Sequence, residues 1–306
     1  MALALSAEGS VADACGLWEQ AFEVSRLLEG SEGGGFHLEL LLSLTFTSIE
    51  MGRLPATRGY LDEADRILLT DSDDDAAARI LGLRGLMAHL GGDLQAADDL
   101  YERCLHLLRS GTNLRAQSIF LKHRADIKLT TGQWEQADLL IRNSRALAEA
   151  GVFPELIANA RLSEGHRLFR RGDPAKAHFE YNAVLKESQR IGIRKLETRA
   201  LTALARLALD QKDADSAHAF ALHSLRLANE MGLGIRQTHS LVVLGLATLA
   251  IDERDLGIAL LRQAKKLADS QEYWARSREA ENKLQELDVD PNGTEYPAKT
   301  IMRGRE

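Results

Sequence analysis

Residues whose types and spacing could carry chemistry are few in this chain. Nine histidines are present, yet no H-E-x-x-H pair places two imidazoles on one helix face for zinc. Neither Cys15 nor Cys104 has a ligand partner at metal-binding spacing, so no structural metal is predicted. The glycine-rich "GSEGGG" at 30–35 lacks the following lysine and the strand context of a phosphate-cradling loop, and reads as a linker between helices. The acidic "DSDDD" at 71–75 lacks the spaced oxygens and central glycine of a calcium loop; Asp73 to Asp75 instead suit the start of a helix, as cap and favourable charge. No G-x-S-x-G elbow occurs, and no carboxylate pair stands out from the general helix-surface charge. The sequence predicts neither a cofactor nor an enzyme.

What remains is the scaffold. Ala, Leu, Arg and Glu dominate, the five prolines leave long proline-free stretches, and strand-type alternation is scarce, so the chain reads as almost entirely helical. Its 38 basic residues are interspersed among 45 acidic ones, a pattern that offers no electrostatic footprint for nucleic acid. Two isolated cysteines inside helical segments fit a reducing compartment, hence the cytoplasm. The longest apolar run, 240–251, is too short to span a bilayer, and "MALALSA" lacks the positive lead of a secretory signal; no membrane partner is expected.

"GLWEQA" at 16–21 and "GQWEQA" at 132–137 expose a repeat. Anchors on the turn residue fall at Gly16, Gly52, Gly92, Gly132, Gly172, Lys212 and Arg254, with steps of 36, 40, 40, 40, 40 and 42. Seven residues before them stand Gly9, Thr45, Gly85, Ala125, Gly165, Ala205 and Ala247; five after them stand Ala21, Thr57, Ala97, Ala137, Ala177, Ala217 and Ala259. Small residues on both sides let a helix A and a helix B pack antiparallel at short range, where a leucine would overpack. Helix A is predicted at about 36–51, 76–90, 115–130, 156–171, 195–210 and 236–252; helix B at about 18–29, 56–69, 94–109, 134–150, 174–190, 214–230 and 256–270. Asp93, Asp173 and Asp213 are placed to cap helix B, with Pro174 at its first position. Gly30, Gly111, Gly151, Gly192 and Gly232 punctuate its end.

Paired helices with a small residue in helix A, a glycine turn seven residues on, an alanine five later and an aromatic nine past the turn (Tyr101, Tyr181) resemble the tetratricopeptide repeat over residues 1–272. The 40-residue step is similar to the extended repeats of maltose-operon-activator-like regulators, kinesin light chains and the sensor arms of signalling NTPases. "SLRLANEMGLG" at 224–234 resembles the helix-B ending of those bacterial regulators. The early helix-A tryptophan is lost, and in the last unit Gln263 replaces the aromatic. The resemblance implies an all-α, right-handed superhelix of about seven antiparallel helix pairs, closed by a capping helix at 274–287. Residues 1–287 then form one array and 288–306 a mobile tail. The first unit reads as genuine but trimmed, at a natural chain start.

In the resembled family the inward positions of helix A lie 13, 10, 6, 3 and 2 residues before the turn. Those offsets select Lys122 and Asp126, then Asn159, His166 and Arg170, then Arg199, Thr202 and Arg206. Leu42, Phe46 and Ile49 on one side, and Leu241, Leu244 and Ile251 on the other, give the groove more apolar ends. The middle suits an extended peptide bearing a carboxylate or acidic side chain, since Arg binds carboxylates through paired hydrogen bonds. The lysine and asparagine spacing of the family's chaperone-tail clamp is absent, and that ligand is not expected. The sequence thus predicts a peptide- or protein-binding scaffold, or alternatively the ligand-sensing arm of a regulator, and its open N-terminal repeats offer a stacking surface to a second copy.

Overall fold

The 40-residue step is laid down as antiparallel helices in the computed structural model, which describes residues 11–25, 33–69 and 73–293. In chain order they are α1 (Val11–Ser25), α2 (Gly33–Glu50), α3 (Leu54–Leu68), α4 (Asp74–Gly91), α5 (Leu94–Leu107), α6 (Leu114–Thr130), α7 (Trp134–Ala150), α8 (Pro154–Arg170), α9 (Pro174–Arg190), α10 (Arg194–Asp210), α11 (Ala214–Glu230), α12 (Gly234–Ala250), α13 (Arg254–Ser270) and α14 (Trp274–Glu286). Each helix packs chiefly on the next, and no strand occurs among the described residues. The expected all-α solenoid forms, as six complete A/B pairs among the described residues with α1 before them and α14 after.

Two interleaved ladders of left-handed residues set the period. The A-to-B turns sit at Gly52, Gly92, Gly132, Gly172, Lys212 and Asp252, with φ between 61° and 83°; four B-to-A turns sit at Val152, Gly192, Gly232 and Glu272, with φ of 53° to 74°. Each ladder climbs by 40 residues. At the turns the chain folds its N–H groups back on the helix end, as where Gly172 N donates to Phe169 O (3.0 Å) and Asp173 N to Leu168 O (2.9 Å). The next residue then starts helix B: Asp93, Asp173 and Asp213 accept from the backbone N–H three residues on, at 3.0 to 3.1 Å. Asp73 caps α4 in the same way, through Asp75 N and Ala76 N.

Three sequence expectations shift. Gly16 is no turn: it lies inside α1, so the anchor predicted there is not one, and the "GLWEQA" echo is helix interior. Arg254 opens α13, and the turn belongs to Asp252, which restores a step of 40. In that register the small pair of the last unit is Gly245 and Gly257, each so near the other's carbonyl oxygen that an added Cβ would stand 3.1 to 3.3 Å from it; the residue nine past the turn is Leu261, not Gln263. The third shift concerns Gly151, which stays right-handed and leaves the left-handed turn to Val152.

The small-residue columns are the contact line between A and B helices. Thr45, Ala125 and Ala205 on one side, with Thr57, Ala97, Ala137, Ala177 and Ala217 on the other, are fully buried. Tyr101 and Tyr181 lie over Gly85 and Gly165, where a Cβ would come within 2.8 and 2.4 Å of the rings. Where helix A carries alanine, the facing residue shrinks to Ile141 or Ala221. Residues in the same slot of successive helices A also touch: Arg79 pairs with Glu39, Arg115 with Glu155, and Arg199 donates to Asn159, each 40 residues apart.

The superhelix comes round on itself. The A-to-B turns of the early pairs lie against the B-to-A turns of the late ones: Gly234 packs on the Met51 carbonyl, Gly52 on Gln271 and Gly92 on Arg278. Val11 N donates to Met231 O (3.2 Å), Arg58 pairs with Glu272, and Lys195 Nζ reaches Glu50 Oε2 at 2.6 Å. An apolar cluster of Val11, Met51, Ala228, Met231 and Leu233 fills one part of this seam. Part of the N-terminal surface expected to face a second copy is therefore covered by the chain's own late repeats. At the other end Ala280 and Leu284 of α14 seal the last pair, while Trp274 stays 44% exposed. Past α14, Arg262 donates to Asp290 O from Nε (3.0 Å) and Nη2 (2.8 Å), fastening the first tail residues. The leader-like start, Gly9, Gly30 and residues 294–306 lie outside the described residues. No described helix is long and apolar enough to cross a membrane.

Candidate functional site

With the seam closed, charged side chains of early and late helices A meet across the inside of the superhelix, its lumen. Lys122 and Asp126, one turn apart on α6, pair at 2.5 Å, and Ser163 Oγ on the neighbouring helix A donates to the other Asp126 oxygen at 3.0 Å. Burial acts to raise the Asp126 pKa, but Lys122, His166 and Arg199 outweigh it and hold the carboxyl well below the usual carboxylate range. Lys122 is brought down to about 8, by burial first and then by Arg199. Its charge is therefore retained at pH 7 chiefly through Asp126.

His166 of α8 stands edge-on to the Tyr181 ring, centroids 5.5 Å apart, and burial depresses its pKa to about 4, so it is neutral near pH 7. Asn159, two turns earlier on the same helix, donates to Glu155 O (2.8 Å) and turns its side-chain oxygen to Arg199 of α10. Arg206 extends Nη2 to Glu279 of α14 (2.7 Å) and Nε to His239 Nε2 (3.3 Å). His239 accepts because burial and the cations Arg276, Arg206 and Arg236 press its pKa well below the ordinary value.

Lys122, Asp126, Asn159, His166, Arg199 and Arg206 thus converge from three successive repeats. Of the other two residues selected by offset, one turns away from them and one stands at their edge. Thr202 is 5% exposed and hydrogen-bonds Thr198 O (2.8 Å) and Ser224 Oγ (2.9 Å), so it faces α11 across the helix contact, whereas the longer Lys122, equally ten before its turn, reaches Asp126. Arg170 stands exposed at the C-terminal end of α8, where its charge adds to the lowering of the His166 pKa. The apolar ends also differ from expectation: Leu42, Ile49, Leu241 and Leu244 are buried between helices, and Phe46 alone of the N-terminal three is exposed, with Lys195 Nζ 4.7 Å over its ring.

The sequence reading missed several members of the cluster: Glu50, Lys195, Arg236, His239, Arg276 and Glu279. His239 occupies the slot 13 before Asp252, equivalent to Asn159 and Arg199, and the correct last anchor would have found it. Arg236 takes a slot filled by Ala76, Ala116, Leu156 and Leu196 in earlier repeats, and only the folded arrangement reveals it. Among the described residues no group of three or more His, Cys, Asp or Glu side chains is arranged to hold a metal ion. Cys15 and Cys104 are buried thiols, Cys104 with its pKa pushed up to about 12 by burial.

No protein-family model and no curated protein matches the chain in sequence. Among solved structures it is similar to a Rap protein complexed with competence and sporulation factor, at a TM-score of 0.68 and 10% identity over 93% of this chain and 84% of that one. It is similar to NprR in complex with its cognate peptide NprX, at 0.67 and 13% identity over 89% and 78%. Against the apo form of the quorum sensor NprR from B. thuringiensis the TM-score is 0.54, at 13% identity over 91% and 78%. At such identities the likeness is one of fold, and the chain has the tetratricopeptide-type helical-repeat fold.

Proposed function

We propose that the chain is a non-catalytic receptor for an extended peptide or protein segment, held in the lumen by the side chains that converge there from successive helices A. The observation that carries this reading is the alignment of Asp126, Asn159, His166, Arg199 and Arg206 along one wall at the repeat spacing, since an extended ligand meets polar groups at regular intervals only on such a surface. The cationic share of the wall favours an acidic segment. NprR in complex with NprX supports a peptide as the class of ligand.

A regulatory role is favoured by one comparison. The chain superposes better on NprR with its peptide than on apo NprR, 0.67 against 0.54, and the seam is the element whose closing would accompany occupancy. Fluorescence anisotropy with N-terminally labelled pools of random ten-residue peptides tests the proposal. The wild-type chain binds the acidic pool, and charge reversal at Arg199 and Arg206 together weakens this binding without unfolding the chain. Equal binding by the reversed variant would rule out the lumen.

A further inference from the structure

The carboxylates of the lumen are all engaged, and two guanidiniums are left over. Glu50 holds Lys195, Asp126 holds Lys122, and Glu279 joins both Arg206 and Arg276. Arg199 touches the neutral side-chain oxygen of Asn159 and no carboxylate. Arg236, in the first turn of α12, has a buried Nε without an acceptor, and no carboxylate among the described residues is within salt-bridge reach of it.

Both lie in one electrostatic neighbourhood with Glu50 and Lys195. The Arg199 pKa falls to about 10, by burial first and by the Arg236 charge second. Glu50, whose pKa burial acts to raise, is held low by Lys195 and then Arg236, so the same patch already stabilises one carboxylate. Two like charges held together, one of them with a buried donor unsatisfied, destabilise the free protein; an anion placed between them removes both costs. Buried groups that break the rule of pairing mark functional sites.

We propose that Arg199 and Arg236 form the seat for a carboxylate of the bound peptide, its C-terminus or an acidic side chain, which rests on the lumen being the peptide site. Two planar guanidinium forks, from α10 and α12, match the planar geometry of a carboxylate. Asn159 is a positioning residue: its amide nitrogen is fixed on Glu155 O (2.8 Å), which leaves the oxygen to orient Arg199. The seat lies beside Glu50 at the seam, so a seated carboxylate also draws the early and late repeats onto one charge cluster.

The test uses the full chain with succinate as probe at constant ionic strength, followed by calorimetric titration and thermal melting. Succinate binds and raises the melting temperature of the wild type. Arg236→Gln and Arg199→Gln each weaken succinate by about tenfold or more, Arg236→Lys retains part of the affinity, and Arg142→Gln on the outer face of α7 changes nothing. Without succinate, Arg236→Gln relieves Arg199 of a like charge but also removes a charge that favours the Glu50 carboxylate, so the readout is the succinate-induced rise in melting temperature, which the variant loses. Succinate binding that is absent or indifferent to Arg236, or inorganic phosphate binding more tightly than succinate, overturns the carboxylate seat. Peptide-pool binding that persists when succinate fails would sink the seat and leave the lumen reading standing; Arg236-dependent succinate binding with no peptide bound would do the reverse.

Discussion

The same substitution at two glycines of this chain should change stability in opposite directions. Gly16 lies in the interior of α1 with a right-handed backbone, and a Cβ added there meets nothing within 4 Å. Gly172 is equally open, but it turns the chain with φ of 80°. Space is therefore matched, and the backbone alone decides. In the helix interior Gly→Ala stabilises by about 0.5–1 kcal/mol, because glycine surrenders more conformational freedom on folding. In the left-handed region an L side chain crowds the following carbonyl at about 1–2 kcal/mol. Gly16→Ala should accordingly raise the midpoint of urea unfolding followed by helical circular dichroism, and Gly172→Ala should lower it, the two separated by about 1.5–3 kcal/mol. Loss of stability in Gly16→Ala would mean that the residue is a turn, as the repeat register predicts. A neutral Gly172→Ala would refute the left-handed ladder.

Three further outcomes are expected. Ala177→Leu, at a fully buried A/B contact, should cost about 1–3 kcal/mol in the same assay, and a neutral unfolding curve would discredit the register of that contact. His89 and His166 have folded pKa values of about 4 against an ordinary 6.5, so the unfolded chain takes up protons first; stability should fall as pH drops from about 6.5 to 4, and His166→Gln should flatten that slope in melts across the window. Asp126→Asn strands Lys122 in the wall, where it is 8% exposed, and should destabilise by about 1–3 kcal/mol, with an unchanged melting temperature counting against the buried pair.

Periodicity was legible in the sequence because small residues and turn residues answer to local packing, which recurs wherever A meets B. Turns at Gly52 through Lys212 and caps at Asp93, Asp173 and Asp213 came directly from it. The ends were harder. At Gly16 an echo of six residues mimicked a turn, since Trp18 and Ala21 suit a helix wherever it begins. Near the C-terminus Ala247 and Ala259 offered an attractive false register, whereas Gly245 and Gly257 form the true contact and Asp252 takes the left-handed turn without being glycine. Within the site, the wall could be read only where inward offsets apply repeat by repeat. Glu50 and Lys195 meet because early repeats come to lie on late ones, and no periodic rule reports a contact between residues so far apart in the chain.

The seam also changes how such an array should lose its structure. Stacked repeats behave as a one-dimensional series in which each unit answers to its neighbours, and the terminal units, with a neighbour on one side only, fray first. Here α1 is hydrogen-bonded to the turn after α11, and α3 is ion-paired to the turn before α14, so the early units have a second set of neighbours. The contact between Arg58 and Glu272 spans 214 residues of sequence, yet once the intervening repeats are stacked it demands almost no further ordering of the chain. The series becomes a loop, and cooperativity passes through both of its sides. Fraying of the early repeats, ordinarily a local event, is thereby coupled to the integrity of the late ones.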